Sequence, residues 1–302
     1  MPELTVSMPA YNTAKYIGEA IESVLRQTGA DFELVVVDDA SADDTSKVAL
    51  SFEAKDRRVK VLRNPVNRGI SYCHNRVIRE SESRFIAHVD SDDLVLPNAF
   101  QRLLTTLNSD PGIGQVHCYF LEVSEDGKMT REAFRARRRG LLKNRPPDMD
   151  YKRELLVRGT VTNHLRTYRR EVFEDLGCFN ESLAYAEDYE MALRIVDRYK
   201  IKLVPEFLYC FRQHESNTTK RLDLSSLALF LQRLRICREL SKTNKIRFLS
   251  NGEYSLNKLM LEGLYEMVRA AEFRNCLPEL LKMLRGTRYT SGQAEDPRRC
   301  SA

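Results

Sequence analysis

Four short apolar runs constrain this 302-residue chain more than any other feature, because each ends in polar residues and leads into helical spacing. Leu4–Met8, Phe32–Val37, Val59–Arg63 and Arg84–Val89 read as strands. From about Lys15 to Gln27 the apolar residues Ile17, Ala20, Ile21, Val24 and Leu25 share one helix face. A second helix is expected to about Ala54, capped by Ser41 or Asp43, and a third from about Ile70 to Glu80. Pro97 stands where the first turn of a fourth would begin. Strands alternating with helices of this length imply βαβ units and a largely parallel sheet.

The polar residues fall at one place in that pattern. Pro9-Ala10-Tyr11-Asn12 follows the first strand and Asp38-Asp39 the second. Asn64-Pro65-Val66-Asn67-Arg68-Gly69 follows the third, and Asp90-Ser91-Asp92-Asp93 the fourth. The carboxyl ends of strands form the ligand crevice of an open α/β sheet. No G-x-G-x-x-G follows the first strand, so a dinucleotide fingerprint is absent. Three carboxylates in four residues repel one another unless a cation neutralises them. Carboxylate oxygens suit Mg²⁺ or Mn²⁺, and diphosphate oxygens are natural further partners for such an ion. The same Asp cluster also suits a solvated turn capping the helix near Pro97. Asp38-Asp39 likewise suits a strand-end turn, and Tyr11 a half-buried aromatic.

Taken together, VSMPAYNTAKYIGEAIESVLRQT, FELVVVDDASADDT, VKVLRNPVNRG and FIAHVDSDD resemble the inverting glycosyltransferases of family 2, over roughly residues 1–215. The resemblance implies an α/β fold of GT-A (Rossmann-like) type. That is a three-layer sandwich with a mainly parallel sheet, here with a C-terminal helical extension. Residues 1–115 would form the nucleotide-sugar half and 116–221 the acceptor half of the same domain. Residues 222–285 would be helical and 286–302 a disordered tail. Pro9, Ala10 and Tyr11 would line the base pocket, and Asp39 would bond the uracil edge. Asp90, with Ser91 beside it, would face the ribose. Asp92 would be the main ligand to Mn²⁺ or Mg²⁺, and Arg68 would reach the nucleotide or sugar.

In the second half, RREVFEDLGCFN and Glu181 resemble the turn before the family's base. In Tyr185-Ala186-Glu187-Asp188-Tyr189-Glu190 the resemblance makes Asp188 the catalytic base and Glu187 an acceptor-orienting residue. An acid in a helix's first turn is also favoured simply by the helix dipole. Tyr209-Cys210-Phe211-Arg212-Gln213-His214 resembles a segment near the active site, with His214 a second metal ligand and Arg212 helping with charge; a solvated loop histidine is the other reading. Many members carry Ala-Arg-Asn where this chain has Cys73-His74-Asn75. With no Trp, the chain lacks the Gln-x-x-Arg-Trp signature of processive synthases, so single-sugar transfer is expected.

The implied partners are a nucleotide-sugar donor, a UDP-sugar by the family's commonest usage, and a saccharide or glycolipid acceptor. The net charge of +5 suits an anionic ligand without calling for nucleic acid. Seven scattered cysteines without CxxC spacing, no apolar run of about 20 residues and no leader-like N-terminus fit a cytoplasmic protein. The basic run 131–140 reads as a solvated loop, a lid over the diphosphate or a contact to an anionic membrane surface. Apolar stripes at Leu227, Phe230, Leu231 and Leu234, and at Leu256, Leu259, Met260, Leu264 and Met267, fit core packing, a homodimer contact or a membrane surface. Two other classes share features of the chain: an aspartyl phosphatase, through Asp90-Ser91-Asp92, and an inactive sugar-nucleotide or glycan-binding protein.

Overall fold

A computed structural model describes residues 1–129, 149–159, 161–162, 164–217, 226–243, 246–247 and 262. The first half runs as the alternation requires. In order come β1 (Leu4–Ala10), α1 (Ile17–Leu25), β2 (Phe32–Asp38), α2 (Thr45–Glu53), β3 (Val59–Arg63), α3 (Ile70–Glu80) and β4 (Phe85–His88). There follow β5 (Leu94–Val95), α4 (Ala99–Ser109), β6 (Ile113–Val123), α5 (Tyr151–Arg158), β7 (Thr167–Arg169), α6 (Arg170–Leu176), α7 (Glu187–Arg198), β8 (Lys200–Arg212) and α8 (Ser226–Lys242).

The eight strands form one sheet in the order β3-β2-β1-β4-β7-β6-β8-β5. The first four are parallel, as expected. Beyond them the sheet is mixed: β7 runs antiparallel to both neighbours, while β6 and β8 are parallel. Leu4, Val6 and Met8 of β1 point to one face, where they pack with Ile17, Ala20, Ile21 and Val24 of α1 and with Phe100, Leu103 and Leu107 of α4. The opposite face holds Val35 and Val37 under α3, and Ile86, Tyr168 and Ile201 under α6 and α7. Strand alternation thus builds two cores, and the helices on both faces complete three layers.

Local punctuation differs from expectation at two helix starts. Asp44, not Ser41 or Asp43, is the residue flanking α2; the Asp43 carboxylate accepts the Thr45 N–H at 3.0 Å, and Ser41 Oγ instead accepts the Asn12 N–H. Pro97 lies outside α4, which starts at Ala99 after Asn98 in the left-handed conformation (φ 62°). The acidic cluster therefore caps no helix. It is followed by β5, which pairs with β8 at Leu94↔Cys210 and Val95↔Tyr209.

Among the described side chains of α8, Ile236, Cys237 and Leu240 are buried and join the core beneath α7. The stripe from Leu256 to Met267, the basic run 131–140 and the tail 286–302 fall outside the described residues. No described helix is long and apolar enough to cross a membrane.

Candidate functional site

Hydrogen bonds between loops draw the ends of β1, β2 and β4 together. The Asn12 N–H reaches Ser41 Oγ, and Asn12 Oδ1 accepts from Ala42. The Thr13 hydroxyl donates to Ser91 Oγ at 3.1 Å, tying the first loop to the acidic one. Ala10 is buried, Pro9 half-buried, and the Tyr11 ring stands 40% exposed at the rim, free to meet a flat ligand. Ser91 is buried, so its hydroxyl serves the loop contact with Thr13.

Asp39 is buried and its carboxylate is already well supplied with donors. Oδ1 accepts from Asn64 Nδ2 at 2.7 Å and from the Arg68 N–H at 2.9 Å; Oδ2 accepts from the Gly69 N–H at 2.8 Å. The side chain expected to bond a uracil edge thus anchors the loop beside that edge. Arg68 itself is exposed, with its guanidinium over the Tyr72 ring at 4.5 Å.

The acidic loop is held from several sides. The Asp90 N–H donates to the Tyr209 hydroxyl, and Asp93 Oδ1 accepts the Arg212 N–H at 2.7 Å. Burial and the neighbouring Asp90 charge push the Asp92 carboxyl above the usual carboxylate range; burial with Asp90 and Asp92 pushes Asp93 well above it. Burial would also lift Asp90, but His164 and Arg166 beside it hold it below that range. His214 Nε2 lies 3.0 Å from Asp92 Oδ2, and the His214 ring stacks on Tyr16 at 4.5 Å. His214 Nδ1 and Asp93 Oδ2 are buried without a hydrogen-bond partner. Mutually repelling carboxylates with an imidazole alongside form a donor set that fits Mn²⁺ or Mg²⁺. Asp90, Asp93 and His164 also offer ligand atoms within 4.8 Å of one another.

Arg212 does not face this site as a free charge. It is 1% exposed and donates to the carbonyls of Asp92 and Glu125 and to Glu19 Oε2. Its role is to hold the acidic loop from behind. His74, in the Cys73-His74-Asn75 segment, is also internal: it stacks on His88 at 3.5 Å and its Nδ1 meets Ser7 Oγ. Burial holds its pKa down at about 3, so it is neutral.

Helix α7 begins after Ala186, whose φ of 65° turns the chain sharply into the helix. Glu187, Asp188 and Glu190 occupy its first turn, where the helix dipole favours negative charge. Asp188 Oδ2 accepts from Arg166 Nη1 at 2.9 Å. Burial, and then the Asp188 charge, push Glu187 up to about 7. Glu190 pairs with Arg194, which also donates to the carbonyls of Leu176, Gly177 and Cys178 and so fastens the preceding turn to α7. Asn75 of α3 clasps that same region through Phe179 and Glu181.

Two residues at the site carried no sequence signal: His164, 3.5 Å from Asp90, and Arg166. Both precede a three-residue strand, and the turn between them is made by Leu165 in the left-handed region (φ 55°), where no glycine marks it.

Among curated relatives, the chondroitin synthase of Escherichia coli is 29% identical over 225 residues, covering 74% of this chain and 31% of that protein. The hyaluronan synthase of Pasteurella multocida is 28% identical over 225 residues, covering 74% and 22%. The chain thus spans a third or less of the length of these two relatives, and the second bears a polymerising name although the Gln-x-x-Arg-Trp signature is missing here. Among solved structures, S. aureus TarS in complex with UDP-GlcNAc superposes with a TM-score of 0.65 at 21% identity, over 88% of this chain and 72% of that one. The mannosyltransferase PcManGT from Pyrobaculum calidifontis, in complex with GDP-Man and Mn²⁺, gives 0.60 at 18% identity, over 94% and 81%. Both likenesses place the fold among GT-A glycosyltransferases. The family model for glycosyl transferase family 2 matches residues 5–177, more than half the chain, with the strand-end loops that carry Tyr11, Asp39 and Asp90–Asp93 inside the match, and the chain belongs to that family.

Proposed function

We propose that the protein transfers a single sugar from a UDP-sugar to a hydroxyl of a saccharide or glycolipid acceptor, inverting the anomeric carbon, in glycoconjugate or polysaccharide synthesis. The observation that carries this reading is that Arg166 lies close to two acidic groups, pairing with Asp188 while its charge also acts on Asp90. Asp90-Ser91-Asp92 with His214 is one group, and Asp188 at the head of α7 the other. One-step displacement needs a cation site at the leaving group and a carboxylate at the nucleophile, and each group supplies one of them.

On the donor side, Pro9, Ala10 and Tyr11 line the base pocket, and Asp39 serves the base by holding the Asn64–Gly69 loop next to it. Asp90 faces the ribose, with Ser91 tying its loop to Thr13, and Arg68 is the exposed cation at the rim. Asp92 and His214 are the residues that would hold Mn²⁺ or Mg²⁺. The bound ion would stabilise negative charge on the departing diphosphate by several kcal/mol. On the acceptor side Glu187 orients the incoming hydroxyl, and Asp188 takes its proton as attack proceeds. General-base assistance of this kind is worth about 10²–10⁴ in rate.

The test is UDP or GDP release, with Mn²⁺ present, from UDP-GlcNAc, UDP-glucose, UDP-glucuronate and GDP-mannose. The expected result is turnover of a UDP-sugar, with Asp188→Asn binding UDP normally but slowed about 10²-fold or more. Wild-type turnover by Asp188→Asn would overturn the base assignment. Turnover of GDP-mannose alone would overturn the donor.

A further inference from the structure

We propose that Arg166 is a positioning residue for the transfer step, fixing the Asp188 carboxylate toward the acceptor; this rests on Asp188 being the base. Both Asp188 oxygens have partners. Oδ2 accepts from Arg166 Nη1 at 2.9 Å, and Oδ1 accepts from the Tyr189 N–H at 2.7 Å. Two contacts from different directions leave a carboxylate one orientation. The ion pair is sheltered, with side chains 16% and 19% exposed, so water does not dilute it as at a surface.

The backbone fixes where the guanidinium starts. The Arg166 carbonyl accepts the His88 N–H at 2.9 Å, which sets Arg166 beside the end of β4, two residues before Asp90. Leu165 is 1% exposed and adopts a φ of 55°, an unfavourable conformation for a bulky residue. Such conformations persist where surrounding structure over-determines them, and they cluster at functional sites. The consequence here is directional. In a regular strand His164 and Arg166 would share a face; with Leu165 turned, His164 meets Asp90 and Arg166 meets Asp188. One tripeptide thus addresses both acidic groups.

Arg166 is also unlike the other buried and half-buried arginines around it. Arg169, Arg170, Arg194 and Arg212 each donate to two or more backbone carbonyls, as arginines that hold a fold together do. Arg166 donates to a carboxylate at the site, while its Nε is buried without a partner. Tolerating that cost is reasonable for a group kept for its effect on Asp188.

The experiment compares Arg166→Gln and Arg166→Lys in the wild-type and Asp188→Asn backgrounds. It measures kcat with the donor found in the screen, and affinity for UDP with Mn²⁺. In the wild-type background Arg166→Gln is expected to lower kcat about 10²-fold, the scale of a misplaced catalytic group. UDP affinity should stay within about twofold, and Arg166→Lys should recover part of the loss. In the Asp188→Asn background the same change should alter the residual rate by less than about threefold, because residues acting as one unit are not additive. An equal loss in both backgrounds overturns the proposal, as does a loss of UDP binding that matches the loss of rate. Wild-type turnover by Asp188→Asn removes the base assignment itself, a result separable from the other two. A crystal structure of Arg166→Gln gives a check that needs no donor: the Asp188 carboxylate should leave its present orientation, and an unmoved carboxylate overturns the proposal.

Discussion

Glu187 is the residue whose chemistry is most open to a direct pH experiment. Its carboxyl is pushed from an ordinary 4.5 up to about 7, first by burial and then by the Asp188 charge. Below about pH 4.5 both the folded and the unfolded chain hold this proton. Between there and about 7 the unfolded chain releases it and the folded one keeps it, so stability is lost as pH rises through this window. Glu187→Gln stays neutral throughout. Without divalent metal, the melting temperature of the variant relative to wild type should climb from pH 4.5 to 7.5 and then level off. A difference that stays flat across that range would show Glu187 to be an ordinary surface acid. At this scale the sequence was informative where residues follow strands. Tyr11, Asp39 and Asp90–Asp93 are at the sheet edge because their strands end there. His164 and Arg166 were illegible, since their directions depend on the left-handed Leu165, a conformation that bulky residues do not advertise.

The loop from β3 to α3 shows how an element is folded around one buried carboxylate, that of Asp39. Gly69 precedes α3 with φ 84° and ψ 166°, a region essentially confined to glycine, and its N–H donates to Asp39. A Cβ there would meet nothing within 4 Å, so the requirement is conformational and not one of space. Gly69→Ala should cost about 1–3 kcal/mol in urea unfolding and weaken UDP binding by pulling the loop from Asp39. Unchanged UDP affinity in a destabilised variant would separate the loop from the base pocket. The helix bodies were readable from their apolar spacing, and α1, α2 and α3 lie within two residues or so of expectation. Their entrances were not. Asn98 in the left-handed region delays α4 beyond Pro97, and the two-residue β5 has no periodicity of its own to read.

Over the whole molecule, the parallel first half was legible because βαβ alternation has few solutions. The mixed second half was not, since β7 has three residues and takes its direction from partners distant in sequence. Ligand binding to the native state should appear as global stabilisation. UDP with Mn²⁺ at about 100 times its dissociation constant adds about 2.7 kcal/mol. The thermal shift should exceed that from UDP alone, and Asp92→Asn should abolish the difference; a metal-independent shift would remove Asp92 and His214 from the cation site. The acidic loop has a further consequence. It leaves β4 beside β1 and is clasped again at β5 by β8, while Val95 N–H is held by Ser23 of α1. A chain segment secured at both ends has no slack. An inserted residue between Val89 and Leu94 would therefore carry the carboxylates out of step with His214, making this the stretch whose length, more than its composition, descendants of this protein must keep.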